Sequence, residues 1–267
     1  MKSRFLIPFH LFVSLLVILS ACTHEEGTDI QFSQLHINKE VKLINDAASP
    51  RCHIIIDMDY CTDANVKKAK AINDAIEQKL FGSAGRSARQ AVQSFMNKYI
   101  NDYRQQLTPL YIADRHAPGK RSWYEYQYSI STEATRAKDG YYNYLMTINS
   151  KEGDEDEVKQ ILSINIDART GKVLHTAADY FVPGYEQLLH DKILQALLSK
   201  TGCKDIAALR QQGYLYGMDM YPSDNFILCD NDITFIYNAS EIAPADKGII
   251  ELHLSYNDLE QIMKKED

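Results

Sequence analysis

Apolar residues recur along this chain with two periods, and the places where the period changes divide it into segments. From Leu35 to Ile44 the alternation Leu35, Ile37, Lys39, Val41, Leu43 predicts a strand. Residues 52–60, centred on Ile54-Ile55-Ile56, predict a second. Val66, Ala69, Ile72, Ile76 and Leu80 then follow helical spacing, with Thr62 or Asp63 as the expected cap and Gly82 and Gly85 as the break. A second helix carries Val92, Phe95, Met96, Tyr99, Tyr103 and Leu107 on one stripe and is expected to end before Pro109.

The period then falls to two. Tyr124, Tyr126, Tyr128 and Ile130 alternate with polar residues, and Tyr142, Tyr144, Met146 and Ile148 repeat the pattern after the turn at Lys138-Asp139-Gly140. With Ile161–Ile166 these runs predict an antiparallel meander whose tyrosines pack on a helix layer. A leucine-rich helix is expected from about Tyr185 to Leu198 and a shorter one over Lys204–Gln211. Strands follow at Phe226–Leu228, Ile233–Tyr237 and Ile250–Leu254, with a closing helix over Tyr256–Lys264. Blocks of strands and helices, without strict alternation, predict an α+β fold. The expected form is antiparallel sheets with helices packed on one face, in two sub-domains over residues 35–135 and 136–267.

Ahead of the first strand the pattern is of another kind. Lys2 and Arg4 precede the apolar run Leu11–Leu19, which ends in Leu19-Ser20-Ala21-Cys22. A charged start, an apolar core too short for the roughly 20 residues of a membrane span, and small residues before a break make a secretory signal. The Leu-Ser-Ala-Cys ending is similar to the bacterial lipobox. That resemblance implies a signal peptide over residues 1–21, lipid on Cys22, and a polar tether over residues 22–34. The expected place is the cell envelope, as an outer-membrane lipoprotein facing the periplasm or exposed at the surface. The acidic pair Glu25-Glu26 behind Cys22 resembles a surface-export signal of Bacteroidota lipoproteins.

Charge narrows the partners. Without residues 1–21 the chain keeps 27 basic against 36 acidic residues, a net charge of −9. Nucleic acid selects basic patches, so it is excluded as a partner, whereas a cationic protein suits this balance. Four cysteines remain after Cys22: Cys52, Cys61, Cys203 and Cys229. Cys52 and Cys61 lie about 30 Å apart if a strand joins them, too far for a bridge. They either cross to Cys203 and Cys229 or stay as free buried thiols.

Catalytic patterns are scarce. The sequence holds no Gly-x-Ser-x-Gly elbow, no His-Glu-x-x-His helix and no Gly-rich phosphate loop, so no catalytic residue, cofactor or metal site is assigned. His53, Asp57 and Asp59 share one face of a strand, Asp154–Glu157 reads as a solvated hairpin tip, and His190-Asp191 as a surface pair on a helix. His253 faces away from Ile250, Leu252 and Leu254, toward solvent or a neighbouring strand. The segment Glu241–Gly248 stands out as a shaped loop between two strands: Pro244 steers Ala243 away from helix and Gly248 permits a positive φ. Glu241, Pro244 and Gly248 are therefore the candidate binding loop.

The order of segments in the C-terminal half carries a resemblance. Asn143–Asn149, the turn ending Thr170-Gly171-Lys172-Val173, Asp179-Tyr180-Phe181, Asp224–Leu228, Ile233–Tyr237, Glu241-Ile242-Ala243-Pro244 with Gly248, and Leu252–Tyr256 with Leu259 succeed one another. That succession resembles the extracytoplasmic domain shared by the lysozyme-sensing anti-sigma factor RsiV and the peptidoglycan deacetylase PdaC. Residues 35–135 look like the smaller domain that precedes it in those families. The resemblance implies a non-catalytic envelope module for binding or sensing, with lysozyme or a peptidoglycan fragment as partner. An envelope enzyme using two converging carboxylates about 5–9 Å apart, or a structural partner in an envelope complex, are the alternatives.

Overall fold

The computed structural model describes residues 29–264 apart from 115 and 118. The signal segment, Cys22 and the tether up to residue 28 lie outside the described residues. Strands β1 (Phe32–Lys42) and β2 (Arg51–Cys61) form an antiparallel hairpin, with Phe32 opposite Cys61 and Lys42 opposite Arg51. Helix α1 (Val66–Phe81) follows. Its cap is Asn65, whose side-chain oxygen accepts the N–H groups of Lys67 and Lys68. Asp63, one of the expected caps, instead accepts the Asn65 N–H and pairs with Lys68 Nζ at 3.0 Å. Gly82 ends the helix in the left-handed conformation, φ 66°.

Helix α2 (Ala88–Asp114) runs through Pro109 instead of stopping before it. Pro109 and Gln105 are both exposed, so water can take the carbonyl that the proline leaves without an N–H partner. Together α1 and α2 form the crossover that lets β3 (Tyr126–Arg136) run parallel beside β2. Strands β4 (Tyr141–Glu152), β5 (Val158–Asp167) and the short β6 (Val173–Leu174) then add in antiparallel order. The resulting sheet has the order β1-β2-β3-β4-β5-β6.

The tyrosine face of the meander packs on the helices as its period predicts. The Tyr128 ring lies 4.9 Å from Tyr99 and 5.3 Å from Phe95, and Tyr126 lies 5.3 Å from Tyr103. Tyr144 is fully buried, and its hydroxyl reaches Thr132 Oγ1 at 2.8 Å and the Asp59 carbonyl. These side chains belong to an apolar cluster that spans Ile30 to Val173.

A second cluster begins at Leu174 and runs to Ile262. It is built from α3 (Ala177–Tyr180), α4 (Glu186–Thr201), α5 (Ile206–Gln211), and the antiparallel sheet β7 (Phe226–Leu228), β8 (Asp232–Tyr237), β9 (Ile250–Ser255). The closing helix expected over 256–264 is a single turn, α6 (Tyr256–Leu259). Beyond it the N–H groups of Ile262 and Met263 turn back to the Leu259 carbonyl, the Ile262 carbonyl accepts the Val182 N–H at 2.8 Å and Met263 bridges Phe181, so a turn seats the tail against that segment. The fold is α+β. The expected boundary at 135/136 falls at the end of β3, within one continuous sheet, and the cores part at Val173/Leu174 instead.

The cores meet through polar side chains. Asn143 on β4 exchanges two hydrogen bonds with the Leu228 backbone, at 2.9 and 3.0 Å. Ser163 and Asn165 on β5 both donate to the Phe226 carbonyl at 2.9 Å. From the other side, Asn225 and Asn238 donate to the Ile161 carbonyl at 2.9 Å, and Asn238 accepts the Ile161 N–H at 2.7 Å.

All four described cysteines are free thiols, so the crossing pairs between Cys52, Cys61, Cys203 and Cys229 are not formed. Cys52 and Cys61 sit at opposite ends of β2 among the first cluster, Cys203 is buried in the second, and Cys229 is half-buried. Burial pushes the Cys52 thiol up to about 12, which keeps it protonated and unreactive.

Candidate binding groove

Two loops of the second unit converge. One leads from α5 toward β7, the other joins β8 to β9. In the first, Gly213 (φ 88°) turns the chain so closely that a Cβ there would lie 3.2 Å from Pro244 Cγ. Leu215 follows with φ 52°, a conformation that costs a branched side chain about 1–3 kcal/mol. It is held there by burial and by its N–H, which donates to the Ile242 carbonyl at 2.8 Å. The price of that turn is offset by what it presents: the next residue, Tyr216, is 87% exposed.

The second loop is braced from within. Ser240 also has a positive φ of 67°, and Glu241 turns back so that Oε2 accepts the Asn238 N–H at 2.7 Å. Its Oε1 accepts the Tyr221 hydroxyl at 2.6 Å. Burial, and then the Glu241 carboxylate, push the Tyr221 hydroxyl well above its ordinary range, so it stays a donor. Tyr237 in turn donates to the Tyr221 carbonyl at 2.6 Å. Both carboxylate oxygens of Glu241 are thus engaged in shaping the loop.

Between the loops lies a groove of about 360 Å³ with Gly213, Tyr216 and Met218 on one wall and Ser240–Pro244 on the other. Of the candidate loop residues, Glu241 and Pro244 line it. Gly248 does not: with φ 67° and ψ −155° it releases the chain from the turn at Ala245–Lys247 into β9. Gly213, Tyr216, Met218 and Ser240 are the groove residues that sequence reasoning missed. The available signal was the pair Gly213 and Gly217 enclosing Tyr214-Leu215-Tyr216, a turn pattern carrying aromatic side chains.

The other polar groups singled out in the sequence do not converge. His53 Nε2 pairs with Asn38 Oδ1 at 2.7 Å, Asp57 with His36 at 2.5 Å, and Asp59 accepts the Ala134 N–H at 3.3 Å. Among the described residues no three His, Cys, Asp or Glu side chains are grouped to hold a metal ion. Asp154 accepts the Ser122 hydroxyl at the exposed hairpin tip, and His190 pairs with Asp191 on α4. His253 is exposed and reaches Thr234 Oγ1 on the neighbouring strand at 2.8 Å.

This is a two-unit α+β protein whose smaller unit carries the groove. Residues 178–257, nearly the whole of that unit, match the family model described as a protein of unknown function (DUF3298). Solved structures share the whole fold. A member of the DUF3298 family from Bacteroides fragilis NCTC 9343 superposes with a TM-score of 0.78 at 25% identity, over 88% of this chain and 94% of that one. A DUF3298 family protein from Pseudomonas aeruginosa PAO1 gives a TM-score of 0.60 at 17% identity, over 89% and 97%, a likeness of fold alone. No curated protein matches the chain.

Proposed function

We propose that this chain is a lipid-anchored, non-catalytic envelope module that captures a cationic protein on its smaller unit. Lysozyme is the class of partner to which the resemblance to the RsiV domain points. The observation that carries the reading is the division of charge. Residues 29–173 hold 20 basic and 19 acidic residues, whereas residues 174–264 hold 6 and 13. A net charge of −7 is therefore concentrated in the unit that bears the groove. Such a field raises the rate of encounter with a cationic surface, an effect that salt screens. Tyr216, standing clear of a braced loop, supplies the aromatic anchor that protein interfaces favour. The non-catalytic part of the reading is supported by Glu241, whose oxygens are both committed to the loop. The lipobox-like Cys22 supports the anchor.

The test is interferometry of residues 23–267 against a cationic animal-type lysozyme at low and physiological salt. The expected result is a saturable complex that survives physiological salt and is weakened about tenfold or more by Tyr216→Ala. Binding that disappears with salt and ignores Tyr216 overturns the proposal, as does no binding at all. The search then moves to peptidoglycan fragments.

A further inference from the structure

The larger unit has a cavity of its own. Where β1 and β2 lie against α1 and the start of α2, a space of about 550 Å³ opens between them. Its size falls within the range of small-ligand sites. One side is apolar and aromatic: Leu35 and Tyr60 from the hairpin, Val66 and Ala69 from α1. Val66 is 79% exposed, an uncovered aliphatic side chain at the rim.

The polar side chains around it fall into two sets. Those of α1 are satisfied within the protein. Asn73 exchanges hydrogen bonds with the Cys61 backbone at 2.8 and 2.9 Å, and Asp74 takes the Lys70 ammonium and the Gly85 N–H. The segment entering α2 differs. Arg86 and Arg89 line the cavity, and among the described residues neither guanidinium makes a hydrogen bond or ion pair. The buried Glu77 carboxylate nevertheless accepts the Arg86 backbone N–H at 3.2 Å and lies within reach of its charge. With Asp74 paired to Lys70, the wall keeps a positive charge from Arg89 and from Arg86, the latter partly offset by Glu77 behind it. A guanidinium offers a planar fork of donors that fits a carboxylate or phosphate with two parallel hydrogen bonds.

We propose that this cavity binds an amphipathic organic anion, with its carboxylate or phosphate head at Arg86 and Arg89 and its apolar body against Leu35, Val66 and Ala69. Both parts are required by the wall. A bare inorganic anion leaves the aliphatic side uncovered, and an uncharged apolar molecule leaves the guanidiniums unanswered.

The test uses residues 23–267, which keep every described residue, with four probes below their micelle-forming concentrations. Decanoate and decyl phosphate carry the proposed chemistry, with either head. Decyltrimethylammonium carries the tail with the opposite charge, and inorganic phosphate the head without a tail. Calorimetry measures affinity and amide chemical shifts locate the site. One or both anionic amphiphiles are expected to bind saturably at a single site and shift the amides of residues 66–74 and 86–89. The stronger of the two identifies the head. Arg86→Ala with Arg89→Ala, both at exposed positions, is expected to weaken that binding about tenfold or more while leaving the melting temperature unchanged. Equal binding of the cationic amphiphile, equal binding of inorganic phosphate, shifts elsewhere, indifference to the double variant, or no saturable binding of either anionic amphiphile overturns it.

Discussion

The two units differ in what fills them and in what they show to solvent. The first stacks α1 and α2 on a six-stranded sheet over a core rich in isoleucine and methionine, with acidic and basic residues nearly balanced. The second closes three strands over a core containing Phe226, Phe235 and Tyr237 and holds the acidic excess. Their junction resembles neither core. Asn143, Asn165, Asn225, Asn238 and Ser163 reach across it to backbone groups, as one strand does to another. An apolar joint can slide and still bury the same area. An amide joint cannot, because each donor and acceptor must meet its partner or stay buried without one. The groove is thus presented by a unit whose register on the larger sheet is specified.

The comparison can be broken most forcefully from inside the second core. Phe235→Ala removes a fully buried ring that packs 5.7 Å from Phe226, and is expected to cost about 3–5 kcal/mol. The chain has one tryptophan, Trp123, and it lies in the first unit. If the amide joint couples the units, the denaturant transition followed by Trp123 fluorescence shifts together with that seen by circular dichroism. A tryptophan transition that stays in place would show that the units unfold independently.

A smaller effect is expected at the joint itself. Asn143→Ala leaves the N–H and carbonyl of buried Leu228 without partners, at about 2–4 kcal/mol. In that variant the two probes are expected to separate, the Trp123 transition lying closer to the wild type. Coincident transitions at an unchanged midpoint would remove the joint from the account.

The finest test is pH. Burial pushes the Glu77 carboxyl in the first unit above the usual carboxylate range. Its contribution to stability is full below the unfolded value of about 4.3 and is lost as pH rises through the raised folded value. Asp179 in the second unit behaves oppositely. Burial raises it, but the N–H groups of His175 and Thr176 outweigh that and hold it below the usual range. Its contribution is present above an unfolded value of about 3.9 and is lost as pH falls through the folded one. Measured as denaturant midpoint against pH, Glu77→Gln should remove stability gained on mild acidification, and Asp179→Asn should remove stability lost at lower pH. Slopes of the same sign for both would contradict the assignment.

Much of the fold is written locally. The period of two over Tyr126–Ile130 and Tyr142–Ile148 gave the strands and told which face meets the helices, because alternation alone decides the side. Pairing partners are not local. Nothing between Arg51 and Cys61 announces a parallel neighbour at Tyr126, since that pairing depends on two helices folding back between them. The same gap explains the boundary. The change from helical to alternating period is real, but the strand it introduces completes a sheet begun before the helices. At the groove, Pro244 and Glu241 were legible as loop-shaping residues within one segment. Tyr216 was not, because its role depends on a turn nearly 30 residues earlier in the chain folding back against Pro244.

The order of strands also sets a distance. β1 is the outer edge of the large sheet, and β6, where the chain crosses to the second unit, is the opposite edge. Five interstrand steps of about 4.8 Å place some 24 Å of sheet between them. The chain nevertheless enters β1 from Asp29, whose carboxylate pairs with Arg136 at the end of β3 at 2.9 Å and accepts the Tyr142 hydroxyl of β4 at 3.2 Å. A chain held at Cys22, as proposed, thus meets the fold beside its middle strands, and a pull on that mooring is felt first by the Asp29–Arg136 pair and not by the far edge.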